Sequence, residues 1–152
     1  MTETTLVAKQ RLEELVSFFG ANVAVEADET DDGIELKIEG SRFTPRLIGH
    51  RGETLRAIEF LVNQMIKAKE DSAPRVLVDV AGYKENRKQQ LQALAKEVAA
   101  RVQESGAEEE LKPMNPAERR IVHMTLRELG GVDSVSRGEA RERRIVVTPL
   151  EQ

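Results

Sequence analysis

Two short segments of the sequence carry the residue types that bind phosphate. In the first, Gly49-His50-Arg51-Gly52, glycines on both sides of two basic side chains let the backbone come close to a ligand. Loop N–H groups beside a helix N-terminus then supply the donors for a phosphate. Arg46 and Arg56 flank the segment and add positive charge. The pattern predicts a phosphate-binding turn at residues 49–52, and it leaves open a plain turn between two helices.

The second segment is a predicted helix over residues 116–129 with a basic face. At about 100° per residue, Arg119, His123, Arg127 and Arg120 follow one another within a single arc of roughly 100°. The opposite, buried side is formed by Ile121, Val122, Thr125, Leu126 and Leu129. This arrangement predicts that the four basic side chains face solvent, where they can meet phosphates. An ordinary solvated basic face is the alternative that the pattern leaves open.

Few other residues in the chain are suited to chemistry. The sequence has no cysteine and two histidines, which excludes thiolate metal sites and cysteine nucleophiles and leaves little for acid-base catalysis. The spacing from Asp28 to Glu39 approaches that of a calcium-binding loop, but its flanks alternate with period two and predict a hairpin. We therefore expect no catalytic site, no metal and no cofactor, and a protein that is not an enzyme.

The elements that must hold the glycine segment follow from hydrophobic periodicity. An amphipathic helix over 5–19 precedes two strands with a turn at 31–33, a short helix at 46–48, a longer helix and a third strand at 76–80. The apolar stripe of the longer helix is Leu55, Ile58, Leu61, Val62, Met65 and Ile66. Phe60 lies off this stripe and should be exposed. The predicted order over residues 1–81 is helix-strand-strand-helix-helix-strand.

The remaining residues, 82–152, predict a second domain. A long helix over about 84–104 links the two domains, and an acidic loop, Glu108-Glu109-Glu110, follows it. Asn115-Pro116 with Glu118 predicts a cap, a first-turn proline and a capping box for the helix with the basic face. Two strands, 132–136 and 143–148, are joined around Gly138. The predicted fold class is α+β, in which the second domain is a small α/β unit with a short sheet.

Charge is distributed unevenly along the chain. The net charge is −4, yet residues 41–69 have six basic and two acidic side chains, whereas residues 1–40 have three basic and ten acidic. A protein that relies on the charge of a nucleic-acid duplex would be more basic overall. No apolar run approaches the roughly 20 residues that span a bilayer, and the first residues lack a signal-peptide pattern. We expect a cytoplasmic protein without membrane insertion.

The glycine segment and its context resemble a K-homology (KH) domain of the bacterial type, type II. The segment 49–52 lies inside a strand-helix-turn-helix-strand unit that an extra helix and strand precede. The resemblance implies a groove for about four nucleotides of single-stranded nucleic acid, with the loop clamping the backbone and an apolar floor under the bases. A DNA-reading helix-turn-helix is the rival for these residues, but its first helix would be barely one turn long.

The second domain resembles the one named for its Arg-x-x-x-His signature, the R-three-H domain. The likeness rests on the run from Asn115 to His123, followed by Ser134, Ser136, Gly138 and Arg143. That family binds single-stranded nucleic acid, which implies that Arg119 and His123 form a phosphate-facing patch. Arginines of the last hairpin would extend this patch: Arg137, Arg141, Arg143 and Arg144.

A KH domain followed by an R-three-H domain is similar to the bacterial Jag family, and the likeness covers nearly the whole chain. Many members carry an extra amino-terminal domain that the sequence as given does not include. The resemblance implies a cytoplasmic, non-enzymatic regulator that binds single-stranded RNA, with single-stranded DNA as a further candidate ligand. It implies post-transcriptional action in cell-envelope growth or division, and a small single-KH protein or a second copy as partner.

We expect the two sites to grip one strand together. The alternative is a protein-interaction adaptor whose basic patches bind acidic partner surfaces.

Overall fold

The computed structural model describes residues 1–151 as two compact units, Met1–Lys84 (unit 1) and a second unit that starts at Glu85 (unit 2). Unit 1 contains α1 (Glu3–Ser17), β1 (Val25–Thr30), β2 (Gly33–Ile38), α2 (Thr44–Ile48), α3 (Glu53–Lys67) and β3 (Val76–Val80). The long helix α4 (Tyr83–Ser105) starts at the end of unit 1. Unit 2 continues with β4 (Glu109–Glu110), α5 (Pro116–Leu129), β5 (Val132–Arg137) and β6 (Arg144–Pro149). The α+β fold class and the order of elements in the first half are confirmed.

The three strands of unit 1 form one sheet in the order β1-β2-β3. β1 and β2 are antiparallel and make the predicted hairpin, in which Thr30 pairs with Gly33 across the turn at 31–32. β2 and β3 are parallel, so the chain crosses over between them through α2 and α3. The residues with calcium-loop spacing are therefore strands and a turn, without the flanking helices that such a loop requires.

The core of unit 1 is built from the predicted apolar stripes of its helices and strands. Buried side chains of these elements include Leu12, Val16, Ile34, Leu36, Ile38, Leu55, Ile58, Val62, Ile66, Val76, Val78 and Val80. Phe60 is 61% exposed, which confirms its predicted position, but Leu61 is 44% exposed and does not belong to the buried stripe. The buried positions of α3 are 55, 58, 62 and 66, so position 61 falls on the flank of the stripe beside Phe60.

Two polar side chains of α3 close the open edge of β3. The side-chain amide of Asn63 donates to the C=O of Val76 at 2.7 Å and accepts from its N–H at 2.9 Å. The carboxylate of Glu59 accepts from the N–H of Val78 at 2.9 Å. An edge strand otherwise presents unpaired backbone groups. These bonds fix α3 along β3, and they thereby fix the turn from which α3 starts.

The sheet of unit 2 is antiparallel, in the order β4-β6-β5. The two strands predicted near the end of the chain are confirmed as β5 and β6. The predicted acidic loop is wrong in part, because Glu109 and Glu110 pair with Val147 and Val146 as the edge strand β4. Each glutamate of the segment also forms an ion pair with an arginine: Glu108 with Arg137, Glu109 with Arg101 and Glu110 with Arg144.

The start of α5 follows the sequence signals for a helix N-terminus. Oδ1 of Asn115 accepts from the N–H of Glu118 at 3.0 Å, and Pro116 is the first helical residue. The predicted capping box is only half formed. The Glu118 side chain is buried, and its carboxylate accepts from Nε of Arg87 at 2.8 Å. The prediction that Leu129 is buried is wrong, because this residue is 47% exposed in the last turn of the helix.

Candidate nucleic-acid interface

The turn between α2 and α3 has a backbone conformation that favours glycine. Gly49 has φ 70°, Arg51 has φ 54° and Gly52 has φ 74°, so three of the four residues in this turn lie in the left-handed region. That region costs an ordinary L-residue roughly 1–2 kcal/mol. The conformation lets α3 begin at Glu53, directly after the turn. The two glycines are thus required by the turn itself, whatever it binds.

The same two glycines pack tightly against side chains of their own unit. A Cβ at Gly49 would lie 2.1 Å from Oγ1 of Thr54, and a Cβ at Gly52 would lie 2.8 Å from Cε1 of Tyr83. Both distances are far shorter than van der Waals contact. Sequence reasoning missed Thr54 and Tyr83 as supports of the turn, because only the tertiary fold brings the start of α4 to this place.

Basic side chains surround the turn. His50 and Arg51 within it are exposed, as are Arg46 on α2 and Arg56 on α3. Nη1 of Arg56 donates to the C=O of Arg51 at 3.3 Å, which ties the two residues together. Within residues 1–151 no side chain caps the N-terminus of α3. The N–H of Glu53 donates to the C=O of His50 within the turn, and the dipole of α3 favours a negative charge at this end. The structure brings together every residue that the sequence predicts for this site: Arg46, Gly49, His50, Arg51, Gly52 and Arg56.

Half-buried apolar side chains lie at both ends of α2 and under the turn. Phe43 precedes α2, Ile48 is its last residue and Tyr83 packs under Gly52, and all three contact the core of unit 1. The guanidinium of Arg42 sits 4.8 Å from the centre of the Phe43 ring, a distance that fits a cation–π contact. An apolar surface next to a basic glycine turn is what the KH resemblance implies.

The basic face of α5 is present but not uniform. Arg120, His123 and Arg127 are exposed, whereas Arg119 is half-buried and enclosed at its tip. Nη1 of Arg119 is buried and has no hydrogen-bond partner in the part of the chain that the structure describes. The prediction that Arg119 faces solvent like its neighbours is therefore only partly correct. A buried donor without a partner is costly, and a ligand oxygen that reached Arg119 would relieve that cost.

His123 is held by the strand behind it. Nδ1 of His123 lies 2.6 Å from Oγ of Ser134, which is buried on β5. A shallow hollow beside this pair is lined by His123, Arg127, Val132, Asp133 and Ser134. The sequence resemblance includes Ser134 but assigns it no contact. The available signal is that a serine occupies a buried position of β5 two residues after buried Val132, on the strand face that packs inward.

The arginines of the last hairpin are engaged within the protein. Nε of Arg143 donates to Oγ of Ser136 at 2.8 Å and its Nη1 donates to the C=O of Gly138 at 3.1 Å, so Arg143 braces the turn between β5 and β6. Arg137 and Arg144 pair with the glutamates at the other edge of the sheet. A phosphate that used these arginines would compete with these internal bonds.

The predicted site residues thus form two groups, residues 46–56 in unit 1 and residues 119–143 in unit 2. Over the described range 1–151, no three His, Asp or Glu side chains are placed to hold a metal ion. In the same range no helix combines the length and the apolar character needed to cross a membrane.

Comparison with known proteins agrees with this architecture. The R-three-H domain family matches residues 89–149. The chain is 34% identical over 127 residues to RNA-binding protein KhpB of Clostridium symbiosum, which covers 84% of this chain and 57% of the relative. Identity is 32% over 127 residues to RNA-binding protein KhpB of Streptococcus pneumoniae serotype 2 (strain D39 / NCTC 7466), which covers 81% of this chain and 38% of the relative. The chain is 29% identical over 143 residues to RNA-binding protein KhpB of Bacillus subtilis (strain 168), and this alignment covers 93% of this chain and 68% of the relative.

These findings define an α+β protein that ends in an R-three-H domain, preceded by a unit with a basic glycine turn. The chain is similar to the KhpB proteins, a family also called Jag, over 81–93% of its length. The names of these relatives describe RNA binding and no catalysed reaction. The chain spans 57% and 38% of the length of the first two relatives.

Proposed function

We propose that the protein binds single-stranded RNA and contacts its phosphates at two places, the glycine turn of unit 1 and the basic face of α5. The observation that carries the proposal is the turn at 49–52, where exposed basic side chains surround a helix N-terminus that no side chain of the described residues caps. Helix N-termini bind phosphate because their N–H groups point outward and the helix dipole favours negative charge. The curated relatives are named as RNA-binding proteins, which supports the same ligand.

The composition of unit 2 indicates how its part of the contact works. Residues 85–152 contain no Phe, Tyr or Trp, so the imidazole of His123 is the only aromatic ring this unit can offer. Base recognition in single strands depends strongly on stacking against aromatic side chains. The α5 face is therefore suited to holding phosphates with little preference among bases, and single-stranded DNA should bind there as well.

We extend the proposal to a cytoplasmic, post-transcriptional regulator linked to cell-envelope growth or division. The partner would be a small single-KH protein or a second copy of the chain. The support for these finer roles is the resemblance to the Jag family. Crosslinking in cells followed by RNA sequencing tests the role, because a regulator should recover a reproducible set of transcripts.

Substitution of arginines around the turn tests the first site. Arg46→Gln with Arg51→Asn removes two charges, and Asn tolerates the left-handed backbone at position 51 better than most residues. Each phosphate that the protein neutralises on a single strand contributes about 0.7 to the log-log salt slope. We expect weaker binding of a short single-stranded RNA and a slope smaller by about 1.4 in fluorescence anisotropy titrations.

The matched control is Lys67→Gln with Lys69→Gln. These exposed lysines lie at or just beyond the far end of α3, about 22 Å along the helix from the turn. This variant removes the same charge from the same unit. Because the lysines lie far from the turn, it should change the salt slope less. Equal effects of the two variants would contradict a phosphate site at the turn. Absence of RNA from crosslinked material, together with recovery of an acidic protein, would favour the adaptor.

A further inference from the structure

The contact between His123 and Ser134 leaves one ring nitrogen available to a ligand. Nδ1 of His123 lies 2.6 Å from Oγ of Ser134. Ser134 is 8% exposed, whereas His123 is exposed. Nδ1 and Nε2 occupy different edges of the imidazole, so the bond to Ser134 does not use Nε2. The ring is thus held from behind by a buried hydroxyl while its outer nitrogen can face an RNA phosphate.

A serine hydroxyl suits this task because it both donates and accepts hydrogen bonds. A phosphate oxygen only accepts, so Nε2 must carry a proton when it contacts phosphate. In the neutral ring Nδ1 is then unprotonated and accepts from the Ser134 hydroxyl. In the charged ring Nδ1 carries a proton and donates to Oγ instead. The bond to Ser134 therefore survives in both charge states of His123.

The surroundings of the pair fit a phosphate more than a base. Arg127 lines the same hollow and brings a positive charge to it, and Asp133 is the acidic side chain there. Oδ1 of Asp133 accepts from the backbone N–H of Ser134 at 2.8 Å. This bond holds one carboxylate oxygen of Asp133 against the backbone of β5. Arg120, a residue of the same helix, adds further positive charge.

We propose that Ser134 is a positioning residue of the α5 site. Its hydroxyl holds the imidazole of His123 so that Nε2–H is presented to an RNA phosphate. The inference rests on the proposed function, since it needs α5 to contact RNA. It assigns to the buried serine of β5 a part in ligand binding, although the serine itself does not reach the ligand.

A double-mutant cycle on RNA affinity tests this role. Ser134→Ala should weaken binding of single-stranded RNA by about fivefold, the value of one hydrogen bond. Ser134→Thr keeps the hydroxyl and should restore most of the affinity. In a His123→Ala background, Ser134→Ala should have no further effect, because it acts through the ring. Unchanged circular dichroism and denaturation midpoints establish that each variant is folded.

The protonation of the ring gives an independent readout. The chain has two histidines, so long-range ¹H–¹⁵N NMR spectra resolve His123 with His50 as an internal reference. In the RNA complex at pH 8 we expect His123 as the Nε2–H form. An Nδ1–H form with unprotonated Nε2 in that complex would overturn the proposal.

The outcomes separate this inference from the function on which it rests. If His123→Ala leaves RNA affinity unchanged while Arg120→Gln/Arg127→Gln weakens it, His123 takes no part in the α5 site and the role of Ser134 is wrong. If neither variant weakens binding, the phosphate site on α5 is wrong as well. If His123→Ala weakens binding while Ser134→Ala does not, only the positioning role is overturned. The same conclusion follows if Ser134→Ala weakens binding equally in the His123→Ala background, because the serine would then act on the fold.

Discussion

The two glycines of the turn at 49–52 are required by the fold itself, independently of any ligand. From sequence, aspartate at both Gly49 and Gly52 is expected to abolish RNA binding and leave the fold intact. The structure argues against the second half of that expectation, because both positions have positive φ and a Cβ would collide with Thr54 or Tyr83. A binding defect in such a variant would not separate repulsion of phosphate from a deformed turn. Substitutions at exposed Arg46 and Arg51 are therefore the sharper test.

Gly49→Ala should destabilise the protein more than Gly20→Ala. Gly20 has φ 77°, close to the φ of 70° at Gly49, but a Cβ there meets nothing within 4 Å. Gly20→Ala therefore carries only backbone strain, roughly 1–2 kcal/mol. Gly49→Ala adds the collision with Thr54, and overpacking of this kind costs about 1–3 kcal/mol more. Urea denaturation measures both, and equal destabilisation would show that Thr54 moves aside freely.

Glu29 predicts a pH dependence at the junction of α1 and β1. The backbone N–H of Thr2 and the hydroxyl of Thr5 donate to the carboxylate of Glu29. The hydrogen bonds from these two threonines lower its pKa from 4.5 to about 2. A carboxyl with a depressed folded-state pKa contributes stability that is complete above its ordinary pKa and is lost as the pH falls towards 2. Glu29→Gln should therefore lower the urea midpoint at pH 7, and the difference from the unmodified protein should fade near pH 2.

The control for this residue is Glu26→Gln, which removes the same charge from another exposed position of β1. The urea midpoint of Glu26→Gln should differ little from that of the unmodified protein between pH 7 and pH 2. If Glu26→Gln and Glu29→Gln give the same pH profile, the bonds from Thr2 and Thr5 do not stabilise the native state.

At the scale of elements, side chains of α3 complete the sheet of unit 1. Asn63 replaces a neighbouring strand for Val76, since its amide makes one bond as donor and one as acceptor. Asn63→Ala should cost about 2 kcal/mol, because both bonds disappear and two backbone groups at a partly buried site stay unpaired. Asn63→Asp should cost at least as much at neutral pH, because a carboxylate oxygen would face the C=O of Val76 in place of the amide donor.

Gln64→Ala, at the next position of α3, should change stability by less than about 0.5 kcal/mol. Hydrogen exchange at the N–H of Val76 provides a local readout beside chemical denaturation. Unchanged protection of that N–H in Asn63→Ala would mean that the amide does not close the edge of β3.

Periodicity predicts those elements that bury one face against the core, and it fails where pairing depends on tertiary contacts. The stripes of α3 and β3 and the cap at Asn115 were predictable because each is a local pattern. Leu61 fits the stripe in sequence, yet the fold buries only positions 55, 58, 62 and 66 of α3. β4 consists of two glutamates, which carry no alternation to read.

In the candidate sites, too, the local patterns could be predicted from the sequence, whereas the contacts between distant elements could not. Spacing predicted the turn at 49–52 and the basic arc of α5, because both are encoded within a few residues. Burial of the Arg119 Nη1 atom, the support of Gly52 by Tyr83 and the bond from Ser134 to His123 all depend on elements distant in sequence. A helical wheel shows direction around an axis, but it does not show what packs over the edge of the arc.

At the scale of the whole molecule, the two proposed phosphate sites should act together as a single stronger site. Binding at one site raises the local concentration of the strand at the other, so the overall affinity can exceed that of either site by about 10²–10⁴ without any new contact. On an RNA long enough to reach both units, Arg46→Gln/Arg51→Asn and Arg120→Gln/Arg127→Gln should each remove most of this gain.

RNA length therefore tests cooperation between the units directly. On a strand of about four nucleotides, which a KH groove alone accommodates, the α5 variant should change affinity much less than it does on a long strand, while the variant at the turn keeps its effect. Fluorescence anisotropy titrations of both variants against a series of RNA lengths measure this dependence. Lys67→Gln/Lys69→Gln should behave like the unmodified protein at every length, because those lysines belong to neither site. If the effects of the two site variants add independently at all lengths, the units bind separate strands. The prediction that both units hold one strand is then wrong, even though each unit binds RNA.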